Sequence, residues 1–283
     1  MMFRFDLGRA VRHADRHGRC LAALVALALL GGPALAGSEC TGTGVTLRDV
    51  AALPATGAHL ADRHPVRVLA IGSSSTEGIG ASSPARAYPH QLEEDLTQAW
   101  REAPVAVVNA GIGGETADQT LLRLEAALAQ PVKPSLVIWQ VGTNDAVRGG
   151  DEGRFRALLE RGIALVRAAG SDLILVDQQF YPAIPDRVRY ERFVGLVAAT
   201  AAENEVPVFS RYALMKEWGR QDPALLTSML SADGFHMGDR GYDCLAEALS
   251  RVIVKAAAPA PAGAAVARAK RPTLPGLPTT RKG

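Results

Sequence analysis

Three consecutive serines, Ser73 to Ser75, follow an apolar run and lie between Gly72 and Gly78. A serine hydroxyl can act as a nucleophile when a neighbouring base removes its proton. The same residues also suit an ordinary polar turn, because serine and glycine are common in turns of every kind. This stretch alone therefore leaves both interpretations open, and the decision depends on partners elsewhere in the chain.

The elements that would position these serines show a regular alternation from Val66 to about Lys255. Short apolar runs predict strands at Val66–Ile71, Val105–Val108, Leu136–Val141, Leu173–Val176 and Pro207–Phe209. Near-continuous Val, Ile and Leu content is typical of parallel strands covered on both faces. Apolar residues at helical spacing predict helices over Tyr88–Trp100, Thr116–Leu128, Gly153–Ala168, Arg187–Glu203 and Asp239–Lys255. The alternation predicts a doubly wound α/β fold.

Ligands of such sheets bind beyond the carboxyl ends of the strands, so the polar turns at those ends are the candidate site. Three turns follow predicted strands, namely Gly72–Thr76, Asn109–Thr116 and Gly142–Asp145. A fourth polar turn, Asp233–His236, comes just before the last helix. All four are predicted to present polar groups at one edge of the sheet.

These four turns resemble the four sequence blocks of the SGNH hydrolase superfamily, also called GDSL-type esterases and lipases. That family has a Gly-Asp-Ser-Leu-like turn, a glycine in an Asn-x-Gly-like loop, a Gly-x-Asn-Asp turn and a C-terminal Asp-x-x-His. The same order occurs here over about residues 66 to 255. The resemblance implies a three-layer α/β/α sandwich of the SGNH, flavodoxin-like kind around a five-stranded parallel sheet. It also implies the hydrolysis of ester bonds.

The resemblance further implies a role for each matching residue. Ser74 matches the nucleophile, His236 the base that takes its proton, and Asp233 the carboxylate that orients the imidazole. The backbone N–H groups of Ser74 and Gly114 and the side-chain amide of Asn144 match the donors of an oxyanion hole. The implied reaction passes through an acyl-enzyme and needs no cofactor and no metal.

The nucleophile turn departs from the family pattern on both sides of Ser74. Ser73 stands where the family usually has Asp, and Ser75 where it usually has an aliphatic residue. The missing carboxylate means that the turn is braced differently here, which affects rate and pH optimum more than reaction class. Asp145, beside Asn144, is expected to be a helix cap or loop brace. P-loop, dinucleotide-binding, α/β-hydrolase and metal-ligand patterns do not match these residues.

The substrate is less well defined than the reaction. Small acyl esters, including acetyl groups on glycans, are one candidate class, and lipid esters, lysophospholipids or thioesters are the other. The segment Asp177–Pro182 follows the fourth strand and is expected to line the acyl side of the cleft, and its polarity favours short chains. A non-catalytic envelope-binding protein of the same fold is the alternative function, against which the intact Ser74, Asp233 and His236 argue.

Both ends of the chain differ from its middle. Residues 1–36 are typical of a secretory signal, with five arginines, an apolar run from Leu21 to Leu30 and a cleavage pattern ending at Ala36. This predicts export to the periplasm or medium, with an uncleaved anchor as the alternative. Residues 37–65 are predicted as an N-terminal arm, 66–255 as the hydrolase domain and 256–283 as an unpacked basic tail rich in Ala and Pro. The tail could adhere weakly to anionic envelope polymers.

The charge distribution limits the kind of partner that the chain can bind, and the cysteines bear on the compartment in which it folds. The formal net charge is +2, and the basic ends leave the middle of the chain at about −6, which argues against a nucleic-acid-binding surface there. Cleavage near Ala36 would leave two cysteines, Cys40 and Cys244, in an oxidising compartment. They can form a disulfide, or Cys244 can be a buried hydrophobe with Cys40 free, and the sequence leaves both possibilities open.

Overall fold

The computed structural model describes Cys40 and residues 53–258, and it places a parallel sheet at the centre of the fold. The sheet has five strands in the order β2-β1-β3-β4-β5, all paired in parallel. They are β1 Val66–Gly72, β2 Val105–Gly111, β3 Leu136–Gln140, β4 Asp172–Val176 and β5 Val208–Phe209. The α/β class and the five-stranded parallel sheet are confirmed.

Helices cover both faces of this sheet. In chain order they are α1 Pro54–Ala61, α2 Ser74–Glu77, α3 Tyr88–Ala99, α4 Ala117–Leu128, α5 Thr143–Val147, α6 Glu152–Ala168, α7 Arg187–Glu203, α8 Arg211–Gln221, α9 Pro223–Met229 and α10 Asp239–Ala257, with a 3₁₀ turn at Pro84–Arg86. Among these described helices, none is long and apolar enough to cross a bilayer.

Alternation along β1 separates two apolar cores. Val68 and Ala70 face a core shared with α3, α8, α9 and α10, whereas Leu69 and Ile71 face a core shared with α4, α6 and α7. Because successive side chains of a strand point to opposite faces, a strand between two helical layers must be apolar along its length. This arrangement gives the predicted three-layer sandwich, and it brings the carboxyl ends of β1, β2 and β3 to one edge.

Some elements differ from the sequence-based expectation. The edge strand β2 is largely exposed, and Val108 is 58% exposed, because no strand pairs with its outer side in the described sheet. Helices α8 and α9 were not predicted. The buried residues of α8 include Arg211, Leu214, Met215 and Trp218, whose helical spacing is readable in the sequence. The pattern is hard to recognise in the sequence because its first member, Arg211, is a charged residue.

The segment before the sheet contains a helix where the sequence suggested only an arm. Helix α1 is held by Asp172, whose Oδ2 accepts hydrogen bonds from the Thr56 backbone N–H at 2.7 Å and hydroxyl at 2.8 Å. Helix α10 runs past Lys255 to Ala257, and so includes two residues that the sequence assigned to the tail. Ala256 O accepts a hydrogen bond from Leu53 N at 2.9 Å. The signal segment 1–36, residues 37–39 and 41–52 of the N-terminal arm, and residues 259–283 lie outside the described residues.

A disulfide joins Cys40 to Cys244, with the two Cα atoms 5.0 Å apart. Cys244 lies in the second turn of α10, and both cysteines are buried. Of the two possibilities that the sequence left open, the structure has the bonded one.

Candidate active site

The turn between β1 and α2 holds the three serines. Ser74 is the first residue of α2, directly after the Ser73 N-cap position. Gly72 is required here, because a Cβ would lie 2.5 Å from Thr76 Oγ1. Gln140 Oε1, at the end of β3, accepts from Ser73 N at 3.0 Å and from Ser73 Oγ at 3.2 Å. A neutral amide on the next strand thus braces the turn, where the family usually has a carboxylate within it.

Ser74 and His236, far apart in the sequence, meet at this turn. His236 Nε2 lies 2.9 Å from Ser74 Oγ, and His236 Nδ1 lies 2.6 Å from Asp233 Oδ2. Asp233 Oδ1 also accepts from the backbone N–H groups of Phe235 and His236, each at 2.9 Å, and from Ser231 Oγ at 2.7 Å. The Asp233–His236 loop is therefore held by its own carboxylate.

The same contacts determine the charge of Asp233. Partial burial would raise its pKa, but the hydrogen bonds from the His236 ring, the Phe235 N–H and the Ser231 hydroxyl outweigh burial and hold the pKa well below its usual range. Asp233 is thus ionised at any pH near neutrality. An ionised carboxylate at Nδ1 favours the tautomer in which Nε2 is free to accept a proton from Ser74.

The glycine-rich loop after β2 supplies backbone donors beside the serine. Gly111 N donates to Asn109 Oδ1 at 3.0 Å, and Gly113 N donates to Glu77 Oε2 at 2.6 Å. Within residues 53–258, neither Gly114 N nor Ser74 N donates a hydrogen bond to the protein. Gly114 has φ +80°, which a residue with a Cβ rarely adopts. Of the three loop glycines, Gly114 is the one whose N–H is available to a ligand.

Asn144 adds a side-chain donor from α5. Its Nδ2 donates to Glu115 O at 2.8 Å, which uses one of the two amide hydrogens and leaves the second. Asp145 is buried and accepts from Ala117 N, with both carboxylate oxygens at 3.1 Å. It therefore caps α4 and ties α5 to it, as predicted for a cap or brace.

The first three residues of the segment Asp177–Pro182 behave differently from their sequence-based interpretation, whereas Tyr181 and Pro182 line a cavity. Asp177, Gln178 and Gln179 do not line a cleft, because all three are buried with at most 2% of their surface exposed. Asp177 accepts from Ser210 Oγ at 2.6 Å and from Tyr212 N at 2.8 Å, and burial raises its pKa to about 6. The polarity of Asp177, Gln178 and Gln179 therefore gives no information about the length of the acyl chain. The sequence-based argument from this polarity for short chains is wrong.

Aromatic rings cover the outer side of the histidine loop. The Phe235 ring is 4.9 Å from the His236 ring and 5.1 Å from the Tyr181 ring, centroid to centroid. A cavity of about 520 Å³ lies beyond, lined by Tyr181, Pro182, Leu226, Leu230 and neighbouring residues.

A metal site is a separate question. Among the described residues, no group of three or more His, Cys, Asp or Glu side chains could hold a metal ion.

The parallel sandwich and its polar edge are those of an ester-hydrolysing enzyme of the SGNH superfamily. The chain belongs to the non-GDSL lipase-like family, whose family model matches residues 39–259.

Individual relatives agree with this assignment. The esterase TesA of Pseudomonas aeruginosa is 30% identical over 171 residues, which cover 60% of this chain and 78% of TesA. Thioesterase 1/protease 1/lysophospholipase L1 of Escherichia coli K12 is 30% identical over 159 residues, 55% of this chain and 73% of that protein. A crystal structure of TesA superposes with a TM-score of 0.56 at 26% identity, covering 67% of this chain and 99% of TesA.

Proposed function

We propose that this chain is an exported serine esterase that cleaves carboxylic esters through an acyl-enzyme. The observation that carries the proposal is the contact chain from Ser74 Oγ through the His236 ring to Asp233, at 2.9 Å and 2.6 Å. A serine, an imidazole and a carboxylate in this order form the arrangement in which the base activates the hydroxyl.

The proposed reaction has two halves. His236 Nε2 takes the proton of Ser74 Oγ as that oxygen attacks the ester carbonyl carbon. The tetrahedral adduct then expels the alcohol, which leaves with the proton from His236, and the acyl group stays on Ser74. Water next gives a proton to His236 and attacks the acyl carbonyl, and the acid departs as Ser74 regains its proton. Asp233 stabilises the imidazolium in both halves.

The negative charge on the substrate oxygen needs donors that are already in position. The backbone N–H groups of Ser74 and Gly114 are candidates because both lack a protein acceptor within residues 53–258. A Cβ on Gly113 would lie 3.9 Å from the Ser74 Cβ, so this loop adjoins the nucleophile. The second hydrogen of the Asn144 amide completes the proposed oxyanion hole.

Short acyl esters, such as acetyl groups on glycans, are the first candidate substrates. The support is the openness of the site: Gly113 is exposed, Gly114 is only partly buried and the Asp233 side chain is 45% exposed. An ester carried on a polymer can reach such a surface site without entering a tunnel. Lipid acyl esters and thioesters are the second candidates. They are favoured by the name of the Escherichia coli relative and by the partly apolar cavity beside the histidine loop.

Export is proposed on two grounds. The first 36 residues have the pattern of a cleaved secretory signal, and the Cys40–Cys244 disulfide is of a kind that persists in oxidising compartments. Fractionation of expressing cells, with N-terminal sequencing of the mature chain, tests this directly. A mature N-terminus near Gly37 outside the cytoplasm is expected, and an uncleaved cytoplasmic chain contradicts it.

Hydrolysis of p-nitrophenyl acetate by the wild type, Ser74→Ala and His236→Ala tests the reaction. The wild type should turn over, and each variant should lose at least about a thousandfold in kcat. An inactive wild type contradicts the proposal and favours the non-catalytic binding protein. A Ser74→Ala variant as active as the wild type also contradicts the proposal, because catalysis would then not use Ser74. A series of p-nitrophenyl esters from acetate to palmitate then separates the two substrate classes.

A further inference from the structure

The serine that follows the nucleophile has an unusual partner. Ser75 stands where the resembled family usually has an aliphatic residue, and its side chain is buried, with 2% of the residue exposed. A buried hydroxyl needs a hydrogen-bond partner. Ser75 Oγ donates to Gln179 Oε1 at 2.9 Å. The departure from the family pattern is thus matched by a glutamine 104 positions away in the sequence.

Gln179 has a second contact that reaches the other side of the site. Its Nε2 donates to the backbone oxygen of Phe235 at 3.0 Å, and Phe235 directly precedes His236. The carbonyl oxygen of Phe235 only accepts, so the NH₂ end of the amide must face it, and the amide oxygen must face Ser75. One side chain therefore links the residue after the nucleophile to the residue before the base.

The linking side chain is itself held in place. Tyr190, on α7, donates its hydroxyl to the backbone oxygen of Gln179 at 2.7 Å. Tyr190 and Gln179 are both buried, with 2% exposed in each case. A buried amide with both ends satisfied is rigid and does not titrate, so the link keeps the same geometry at every working pH.

We infer that Gln179 is a positioning residue of this hydrolase: it sets the separation of Ser74 and His236 by bonding to the residues beside them. The inference rests on the proposed roles of Ser74 and His236 and adds a residue that touches neither reacting atom. A nucleophile and its base must be held within a fraction of an ångström, since a misplacement of about 1 Å costs on the order of 100-fold in rate. The clamp consists of Ser75, Gln179 and the Phe235 carbonyl.

The test is a kinetic cycle with p-nitrophenyl acetate. Gln179→Met keeps the volume of the side chain and removes both bonds, and Ser75→Ala removes one. We expect Gln179→Met to lower kcat by about 10- to 100-fold, and Ser75→Ala by about 3- to 10-fold, with KM changed by less than about threefold in each. The double variant should be within about twofold of Gln179→Met alone, because both substitutions break the same link.

Gln178→Met is the matched control. Gln178 is the adjacent glutamine and is as deeply buried, and its side-chain amide has no hydrogen-bond partner in the described structure. The control should keep kcat within about twofold of the wild type. Equal losses in the two Met variants would mean a general disturbance of the segment and would overturn the inference.

The remaining outcomes separate this inference from the proposed function. A wild-type kcat for Gln179→Met, or a change confined to KM, overturns the positioning role while an inactive Ser74→Ala leaves the proposed function standing. A Ser74→Ala variant as active as the wild type overturns both. If Gln179→Met does not fold, Ser75→Ala decides: the expected loss in kcat supports the clamp, and an unchanged kcat overturns it.

Discussion

Removal of the Cys40–Cys244 disulfide should destabilise the fold without affecting the chemistry. The bond closes a loop of 204 residues, and in the chain-entropy treatment such a loop restricts the unfolded state by about 5 kcal/mol at 25 °C. Native disulfides more often contribute about 2–4 kcal/mol. Helix α1 keeps its own hydrogen bonds to Asp172, so the native fold should survive the loss. We expect Cys40→Ala to lower the free energy of unfolding by about 2–5 kcal/mol.

Guanidinium unfolding of the oxidised wild type, the reduced wild type and Cys40→Ala measures this change. The reduced wild type and Cys40→Ala should unfold at the same lower midpoint, while kcat for p-nitrophenyl acetate in native buffer stays within about twofold of the wild type. The Ser74–His236 contact does not involve either cysteine. A midpoint that moves neither on reduction nor on substitution would refute the reasoning, because the loop would then not restrict the unfolded chain.

Three further predictions concern single side chains. Asn144→Ala removes a proposed oxyanion donor and should lower kcat by about 10²–10³ with little change in KM, measured by steady-state kinetics; a loss confined to KM contradicts that role. Burial raises the pKa of Asp177 to about 6, so ionisation costs the folded state stability as pH rises from about 4 through 6, by up to about 3 kcal/mol. Unfolding curves at pH 4.5 to 7.5 should show Asp177→Asn gaining stability relative to the wild type as pH rises, and a constant difference contradicts this. Gly162→Ala places a Cβ 2.2 Å from the Trp139 ring and should cost about 1–3 kcal/mol by overpacking, whereas an unchanged melting temperature would show that the ring can move.

The sheet was readable from the sequence because parallel strands covered on both faces are apolar along their length. β1, β3 and β4 follow that rule, and their bounds differ from the predicted ones by a residue or so. Helix α1 was missed because its position depends on contacts with Asp172 and Ala256, which are remote in the sequence. Its own eight residues carry no clear apolar period.

The residues of the candidate site also fall into two groups, those that the sequence indicated and those that only the structure shows. Ser74, Gly114, Asn144, Asp233 and His236 were proposed from the sequence because they match the short blocks of the resembled family. The glutamines that brace these blocks belong to no block. Glutamine has no motif of its own. Gln140 ends β3 and Gln179 lies three residues beyond the end of β4, and each is many residues from the serine that it contacts. Only the three-dimensional structure brings them together.

The residues after β4 illustrate a related difficulty. At the carboxyl end of a strand, a polar side chain can face the ligand or turn into the space beneath it, and the sequence is the same in both cases. Asp177 and Gln179 turn inward, where buried hydrogen bonds to Tyr212 and Ser75 satisfy them. Polarity at a strand end therefore indicates a site without showing which groups line it.

Covalent labelling of Ser74 tests the central claim most directly. The wild type, Ser74→Ala and His236→Ala are treated with a p-nitrophenyl alkylphosphonate, which releases p-nitrophenolate as it phosphonylates an activated serine, and the labelled peptide is identified by mass spectrometry. The account predicts one phosphonate per chain, on Ser74, with labelling at least about 100-fold slower in His236→Ala. A label on another serine, or equal labelling rates in the wild type and His236→Ala, would contradict it.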